Sequence, residues 1–281
     1  MTPSEEEPVV FPCAGDRLIG VLHRPRNAHA TGVVVVSGGP QYRVGSHRQS
    51  VLLGRHLAQA GFPVLRFDYR GMGDSEGEFA GFEAVDDDIR SAIDCLVDKI
   101  DGLKRLALWG LCDGASAAAF YANRDTRVAG LVLVNPWVRT EATVAQAYIK
   151  NYYGARLASI DFWRRLARLE VNLGGAAQDL WRGLKGLSGL SGATETAEDL
   201  PGRVAHSLRR YEGRVLLILS GADLTAQEFE TGVLKSSTMR AWRRDPRVTL
   251  RRLEGANHTY SRVLWRDQLH DWTVAWLRQF S

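Results

Sequence analysis

The sequence of 281 residues has little cysteine and no long apolar run. Its three cysteines, Cys13, Cys95 and Cys112, form no C-x-x-C pair, which argues against a disulfide framework and against a zinc site. No apolar stretch approaches the ~18 residues that a membrane span needs. The acidic stretch from Met1 to Glu7 lacks the basic start and apolar core of a signal peptide. We therefore expect a cytoplasmic protein without a membrane span, a metal or another cofactor.

The sequence also lacks a strong charge of either sign. Its formal net charge is only +4, and its arginines are scattered along the chain rather than clustered. This pattern gives no support for a nucleic-acid partner. Hydrophobic residues make up 45% and charged residues 24% of the chain, as in ordinary globular enzymes and binding domains. A small-molecule partner is the better expectation.

Apolar stretches alternate with helical patterns along most of the chain. Eight stretches predict strands: Val9–Ala14, Leu18–His23, Gly32–Ser37, Phe62–Phe67, the first part of Lys104–Tyr121, Val128–Asn135, Arg214–Ser220 and Val248–Leu253. Helical spacing recurs in Ser46–Ala60, Phe82–Ile100, the last part of Lys104–Tyr121, Ala226–Arg244 and Val263–Phe280. This alternation predicts the α/β class, with a doubly wound, mostly parallel, eight-stranded sheet that begins with an antiparallel hairpin.

The apolar strand pattern is interrupted after Pro136. Between Trp137 and Glu212, aromatic and arginine residues replace it. We interpret this segment as a helical cap inserted into the sheet domain. The predicted organisation is therefore a first core part at 1–136, a cap at 137–212 and a second core part at 213–281.

Cys112 follows an apolar strand and precedes a run of small, helix-forming residues. The order Gly110-Leu-Cys112-Asp-Gly114 predicts a sharp turn between strand and helix, with glycine where a side chain would collide with neighbouring backbone. Such a turn lifts one side chain above the sheet, beside the unpaired N–H groups and the positive end of the helix dipole. A thiol there is suited to act as a nucleophile.

Two more reactive side chains follow later strands. Asp223 lies just after Arg214–Ser220, and His258 lies just after Val248–Leu253. Parallel strands end at the same edge of a sheet, so these side chains are expected to lie near Cys112. A nucleophile needs a base within hydrogen-bond reach, and the base needs a carboxylate that orients it. Glu228 is an alternative acid, but it lies within a predicted helix.

These motifs resemble the α/β-hydrolase superfamily over nearly the whole chain. Gly110-Leu-Cys112-Asp-Gly114 resembles the G-x-S-x-G elbow with Cys in place of Ser, and Asp68–Gly77 resembles the D-x-R-G-x-G-x-S-x-G loop. More narrowly, Gly38–Gln49 together with the sequence around Cys112 is similar to hydrolases associated with exosortase A systems, which are encoded near exopolysaccharide genes.

The superfamily resemblance implies a role for each residue. Cys112 would be the nucleophile, His258 the general base and Asp223 the orienting acid. The oxyanion hole would use the backbone N–H of Asp113 and a second N–H from Gly39 or Gln41. Separately, Arg43 and His47 lie beside this loop, and their basic side chains suggest contacts with an anionic group of the substrate.

The resemblance implies an acyl hydrolase that acts on an ester or thioester through an acyl-cysteine intermediate. An acyltransferase with the same three residues is an alternative, because a thioester intermediate is readily attacked by acceptors other than water. A lyase or ring-opening hydrolase is also compatible with the fold. A non-catalytic binding protein built on this fold is the alternative from a different functional class.

Overall fold

The computed structural model describes residues 5–39, 41–139 and 199–280. One eight-stranded sheet contains β1 (Glu5–Cys13), β2 (Asp16–Arg24), β3 (Thr31–Val36), β4 (Val64–Phe67), β5 (Arg105–Leu111), β6 (Val128–Val134), β7 (Arg214–Ser220) and β8 (Val248–Leu253). The strand order is β1-β2-β4-β3-β5-β6-β7-β8. Strand β2 is antiparallel to both of its neighbours, and every other neighbouring pair is parallel. The predicted mostly parallel, eight-stranded α/β sheet is confirmed.

The described helices are α1 (Gln49–Gln59), α2 (Asp86–Lys99), α3 (Asp113–Tyr121), α4 (Leu200–Arg210), α5 (Leu224–Phe229) and α6 (Val263–Phe280). Short 3-10 turns span Ser46–Arg48, Phe82–Ala84, Ala122–Arg124 and Trp242–Arg244, and a π-turn spans Glu230–Leu234. Every described helix is too short or too polar to cross a bilayer.

Side chains of the central strands alternate between two cores. On one face, Val34 and Leu108 pack in the same core as α2, α3 and α4. On the other face, Val35 and Trp109 pack in the same core as α1 and α6. Burial of a large apolar side chain contributes about 1.5–3 kcal/mol. The continuous apolar strands are therefore explained by burial on both faces of the sheet.

The chain direction through the sheet changes between β3 and β5. After β3 the chain forms β4 on one side, whereas β5 pairs with β3 on the other side and later strands continue outward. In such sheets a crevice forms outside the carboxyl ends of the strands where the order reverses. The loop after β3 and the turn after β5 therefore border the expected ligand site.

The predicted cap at 137–212 is described only at its two ends, and residues 140–198 lie outside the described part of the chain. At the second end, α4 buries Val204 and Leu208 in the core that also contains α3. This helix therefore contributes to the packing of the sheet domain.

Candidate active site

Cys112 lies in the sharp turn between β5 and α3. Its φ of 61° and ψ of −129° are strained values for a residue with a side chain. A Cβ atom at Gly110 would lie 2.5 Å from the carbonyl oxygen of Gly114, and one at Gly114 would lie 2.4 Å from the carbonyl oxygen of Val36. The predicted turn is present, and both flanking positions require glycine because backbone approaches them so closely.

The backbone of Cys112 is held on both sides. Its N–H donates to the carbonyl of Val134 at 2.9 Å, and its own carbonyl accepts the N–H of Ala115 at 3.0 Å and of Trp137 at 3.1 Å. The residue is partly exposed, whereas Cys13 and Cys95 are buried. The Cys112 side chain is therefore fixed at the N-terminus of α3 without being sealed in the core.

His258 lies between the two other predicted site residues. Its Nδ1 lies 2.9 Å from Oδ2 of Asp223, and the side chain of Cys112 is close enough to the ring to raise the pKa of His258. The three residues thus meet at the carboxyl edge of the sheet. They come from the loops that follow β5, β7 and β8.

The neighbours of His258 favour its protonated form. Burial lowers the pKa of His258, but the interactions of its ring with Asp223 and Cys112 outweigh burial and raise the pKa to about 10. The imidazole therefore keeps its proton at neutral pH. A positive charge is placed between the carboxylate and the sulfur.

Asp223 is oriented by the helix that it begins. It is the N-cap of α5, where Oδ1 accepts the N–H of Thr225 and Oδ2 accepts the N–H of Ala226, both at 3.2 Å. An N-cap carboxylate satisfies N–H groups that have no partner within the helix. The same carboxylate that faces His258 is therefore fixed by backbone.

Asn135 supports this arrangement, although no motif predicts it. Its Oδ1 accepts the N–H of Ser220 at 2.8 Å, and its Nδ2 donates to Ser220 Oγ at 2.8 Å and to the carbonyl of His258 at 3.2 Å. Asn135 is fully buried. It therefore ties the end of β7 to the loop that carries the histidine. The available signal was a single polar residue between an apolar strand and a proline.

The three predicted oxyanion-hole residues lie together, but two of their N–H groups have partners within the protein. The Gly39 N–H donates to Oδ1 of Asp113. The Gln41 N–H donates to the carbonyl of Gly39 at 2.7 Å. The loop after β3 thus contacts the turn after β5, as the order of the strands requires.

Arg43 is paired with protein carboxylates, whereas the sequence predicts a contact with substrate. Its backbone N–H donates to Asp68 Oδ1 at 2.5 Å, and its guanidinium binds Asp68 and, at 2.5 Å, Asp74. Asp68 is fully buried. Arg43 therefore joins the loop after β3 to the loop after β4. The other predicted substrate-binding residue, His47, is exposed and has a positive φ of 52°.

The alternative acid, Glu228, has a different partner. Its buried carboxylate lies 3.1 Å from Nε of Arg139, whose guanidinium packs over the ring of Trp137. Asp223 is therefore the carboxylate that contacts the histidine. Among the described residues, no group of three or more His, Cys, Asp or Glu side chains is placed to hold a metal ion.

The other two thiols have environments unlike that of Cys112. Burial raises the pKa of the Cys13 thiol, and burial also raises the pKa of Cys95 to about 11. Both side chains contribute to the same hydrophobic core. They serve as internal references for any reaction directed at Cys112.

Residues 28–171 match the Hydrolase_4 family model, described as serine aminopeptidase, S33. The chain belongs to this family. The family description names a serine, whereas Cys112 occupies the turn between β5 and α3 here. Membership supports a hydrolase activity of the α/β-hydrolase class. A search of curated proteins found no match.

Solved structures share the fold at low sequence identity. An esterase of Pyrococcus furiosus is 18% identical with a TM-score of 0.65, over 98% of this chain and 91% of that chain. A proline iminopeptidase of Mycobacterium smegmatis is 18% identical with a TM-score of 0.60, over 97% and 98% of the two chains. A dienelactone hydrolase of Anabaena variabilis is 16% identical with a TM-score of 0.63, over 99% of each chain. These similarities establish the α/β-hydrolase fold.

Proposed function

We propose that the protein is an acyl hydrolase that cleaves a small ester or thioester through an acyl-cysteine intermediate. The observation that carries this proposal is the position of His258, which is hydrogen-bonded to Asp223 and lies close enough to Cys112 for the two side chains to interact. In this proposal Cys112 is the nucleophile, His258 the acid and base, and Asp223 the residue that orients the imidazole. The esterase activity in the name of a structural neighbour is consistent with this choice.

Acylation uses the proton that His258 holds. The Cys112 sulfur, as thiolate, attacks the carbonyl carbon and forms a C–S bond while the carbonyl π electrons move to oxygen. When the C=O bond re-forms, the bond to the leaving group breaks, and the leaving oxygen or sulfur takes the proton from His258. A histidine with a pKa of about 10 holds this proton across the neutral pH range.

Deacylation reverses these roles. Neutral His258 accepts a proton from water as the water oxygen attacks the thioester carbonyl. The C–S bond then breaks, the acid product leaves, and the thiolate and the protonated imidazole are restored. Asp223 stabilises the positive ring during both halves, because its carboxylate is held by two backbone N–H groups.

The segment predicted as a cap begins beside the nucleophile, which supports a role in covering the site. The Trp137 N–H donates to the carbonyl of Cys112, and the Trp137 carbonyl accepts the hydroxyl of Ser116 at 2.6 Å. We propose that the segment 137–212 selects the acyl group and limits the access of water. We also propose that the chain is related to the hydrolases associated with exosortase A systems, because its motifs around Gly39 and Cys112 are similar to theirs.

The test is turnover of p-nitrophenyl acetate and of an aryl thioester by wild type and variants. We expect Cys112→Ala to abolish turnover and His258→Ala to reduce it about 10²–10⁴-fold, the usual contribution of a general acid–base group. Peptide mass spectrometry of rapidly quenched wild type should place the acetyl group on Cys112. Turnover that survives in Cys112→Ala would contradict the proposal.

The same assay separates the alternative functions. An acyltransferase would form the acetyl-enzyme but pass the group to an added alcohol or amine much faster than to water. A binding protein would give neither turnover nor acetylation of Cys112. The Cys13→Ala and Cys95→Ala variants are matched controls, since each removes a buried thiol of the hydrophobic core.

A further inference from the structure

The carboxylate of Asp113 is turned back onto the backbone of its own turn. Its Oδ1 accepts the N–H of Gly39 and, at 2.9 Å, the N–H of Gly114. One side chain therefore collects two backbone N–H groups from two different loops.

One of these donors is a group that the proposed reaction needs. During attack on an acyl group, the carbonyl oxygen becomes negative and is stabilised by N–H groups placed beside the nucleophile. The N–H groups of Asp113 and Gly39 are the candidates for that task. A carboxylate oxygen is also a negative oxygen, so Asp113 presents to the Gly39 N–H the kind of atom that the substrate would present.

The neighbouring glycines allow the carboxylate to approach. A Cβ atom at Gly38 would lie 2.6 Å from Asp113 Oδ1 and 2.2 Å from the carbonyl oxygen of Leu111. A side chain at position 38 would therefore push the carboxylate away from the Gly39 N–H. Burial raises the pKa of Asp113 above its usual value, and the N–H groups of Gly39 and Gly114 and the nearby charge of His258 offset only part of this rise.

We propose that Asp113 is a positioning residue that keeps the Gly39 N–H, a candidate oxyanion donor, occupied until an acyl group displaces its carboxylate. This inference rests on the proposed acyl-cysteine chemistry. Hydrogen bonds to an ionised group are about twice as strong as neutral ones, so displacement slows acylation. The consequence is substrate selectivity, because only an acyl group that binds well through its other contacts displaces the Asp113 carboxylate from the oxyanion hole.

Two reactions of Cys112 separate this role from a structural one. Acetylation by p-nitrophenyl acetate passes through a tetrahedral oxyanion and needs free N–H donors. Alkylation by iodoacetamide displaces iodide at a saturated carbon and forms no oxyanion. A change that only frees the N–H groups should therefore affect acetylation and not alkylation.

The experiment measures both rates, in single turnovers, for wild type, Asp113→Ala and Asp113→Asn. For Asp113→Ala we expect acetylation to rise roughly tenfold, since the bonds released are those of a charged acceptor, with alkylation within about twofold of wild type. The Asn amide keeps a neutral oxygen for the Gly39 N–H, so Asp113→Asn should lie between the two. Asp113→Asn also controls for the shape of the side chain, because asparagine and aspartate have nearly the same shape.

The outcomes distinguish this inference from the proposed function. If acetylation is unchanged or falls in Asp113→Ala while alkylation stays fast, Asp113 supports the loop rather than blocking it, and the inference is overturned. If wild-type Cys112 is not acetylated and is alkylated no faster than Cys13, the proposed function itself fails. Loss of alkylation together with acetylation in both variants would also overturn the inference, since it shows a collapsed turn.

Discussion

The side chain of Asn135 and the main-chain carbonyl of His258, 123 positions apart in the sequence, are joined by a hydrogen bond of 3.2 Å. The same side chain holds the N–H and the hydroxyl of Ser220 at the end of β7. Because Asn135 is fully buried, these groups have no water to replace it. The position of the histidine therefore depends on a residue that takes no part in the chemistry.

Asn135→Gly tests this dependence. Asn135 has a φ of 45°, which glycine adopts without strain, so this variant removes the side chain alone. We expect a loss of about 1–3 kcal/mol in the free energy of unfolding, because buried groups of Ser220 lose their partner. Alkylation of Cys112 by iodoacetamide should also slow. A variant that unfolds at the wild-type urea concentration and reacts at the wild-type rate would refute the role.

The raised pKa of His258 predicts a specific titration. In wild type the imidazole signal in NMR should titrate near pH 10, and in Cys112→Ser and Asp223→Asn it should titrate lower, since each variant removes an interaction that raises the pKa of His258. Glu228→Gln is the matched control, because Glu228 pairs with Arg139 instead. An unchanged His258 titration in Asp223→Asn would contradict the contact.

The same shift determines how stability depends on pH. A histidine whose pKa is raised in the folded state stabilises the fold fully below its unfolded pKa of 6.5 and loses that contribution as pH rises toward about 10. Urea unfolding of wild type and His258→Ala should therefore show a difference that favours wild type at pH 6 and shrinks by pH 10. A difference that grows with pH would have the wrong sign.

Much of the fold could be predicted because its strands are local and nearly uniform in composition. Strands β3 and β6 are apolar runs buried on both faces, and the predicted terminal helix Val263–Phe280 has the observed bounds. The helix predicted over Ala226–Arg244 is instead split into α5, a π-turn and a 3-10 turn. Asp223 is the N-cap of α5, so this helix begins at Leu224, before the predicted start at Ala226. Hydrophobic spacing in a sequence does not reveal the effect of a single capping side chain.

The three residues of the candidate triad could be predicted because each follows a strand end in a recognisable motif. The contacts of Asp113, Asn135 and Arg43 could not. Each depends on pairing across the fold, for example Arg43 with Asp68 from another loop. Sequence spacing shows that a residue is polar and near a strand end, but its partner becomes known only when the loops are placed.

The glycine at the turn allows a test of local geometry. In Gly114→Ala the new methyl group would meet the carbonyl oxygen of Val36, so we expect a loss of about 1–3 kcal/mol or more from overpacking, with slower alkylation of Cys112. Gly102→Ala is the control, because Gly102 has a φ of +78° but open space around it. It should cost only the backbone strain, about 1–2 kcal/mol. Equal urea midpoints and equal alkylation rates in the two variants would contradict the claim that close backbone contact requires glycine at position 114.

The buried His270 lies away from the candidate site, and we expect it to make the stability of the fold sensitive to acid. Burial lowers the pKa of His270 to about 3, and its Nε2 has no hydrogen-bond partner within the described residues. The neutral ring therefore supports the fold above pH 6.5, and this support is lost as pH falls toward 3. His270→Leu should be more stable relative to wild type at pH 4.5 than at pH 8, by urea unfolding.

Whether Cys112 and His258 act together is measured by the rate at which iodoacetamide alkylates Cys112 in wild type and in His258→Ala, followed by peptide mass spectrometry. We expect Cys112 to react roughly tenfold faster than Cys13 and Cys95, or more, since a thiolate paired with a protonated imidazole is the reactive form. We also expect this advantage to disappear in His258→Ala. Labelling of Cys112 no faster than of the two buried thiols, or a rate unchanged by loss of the imidazole, would contradict this expectation.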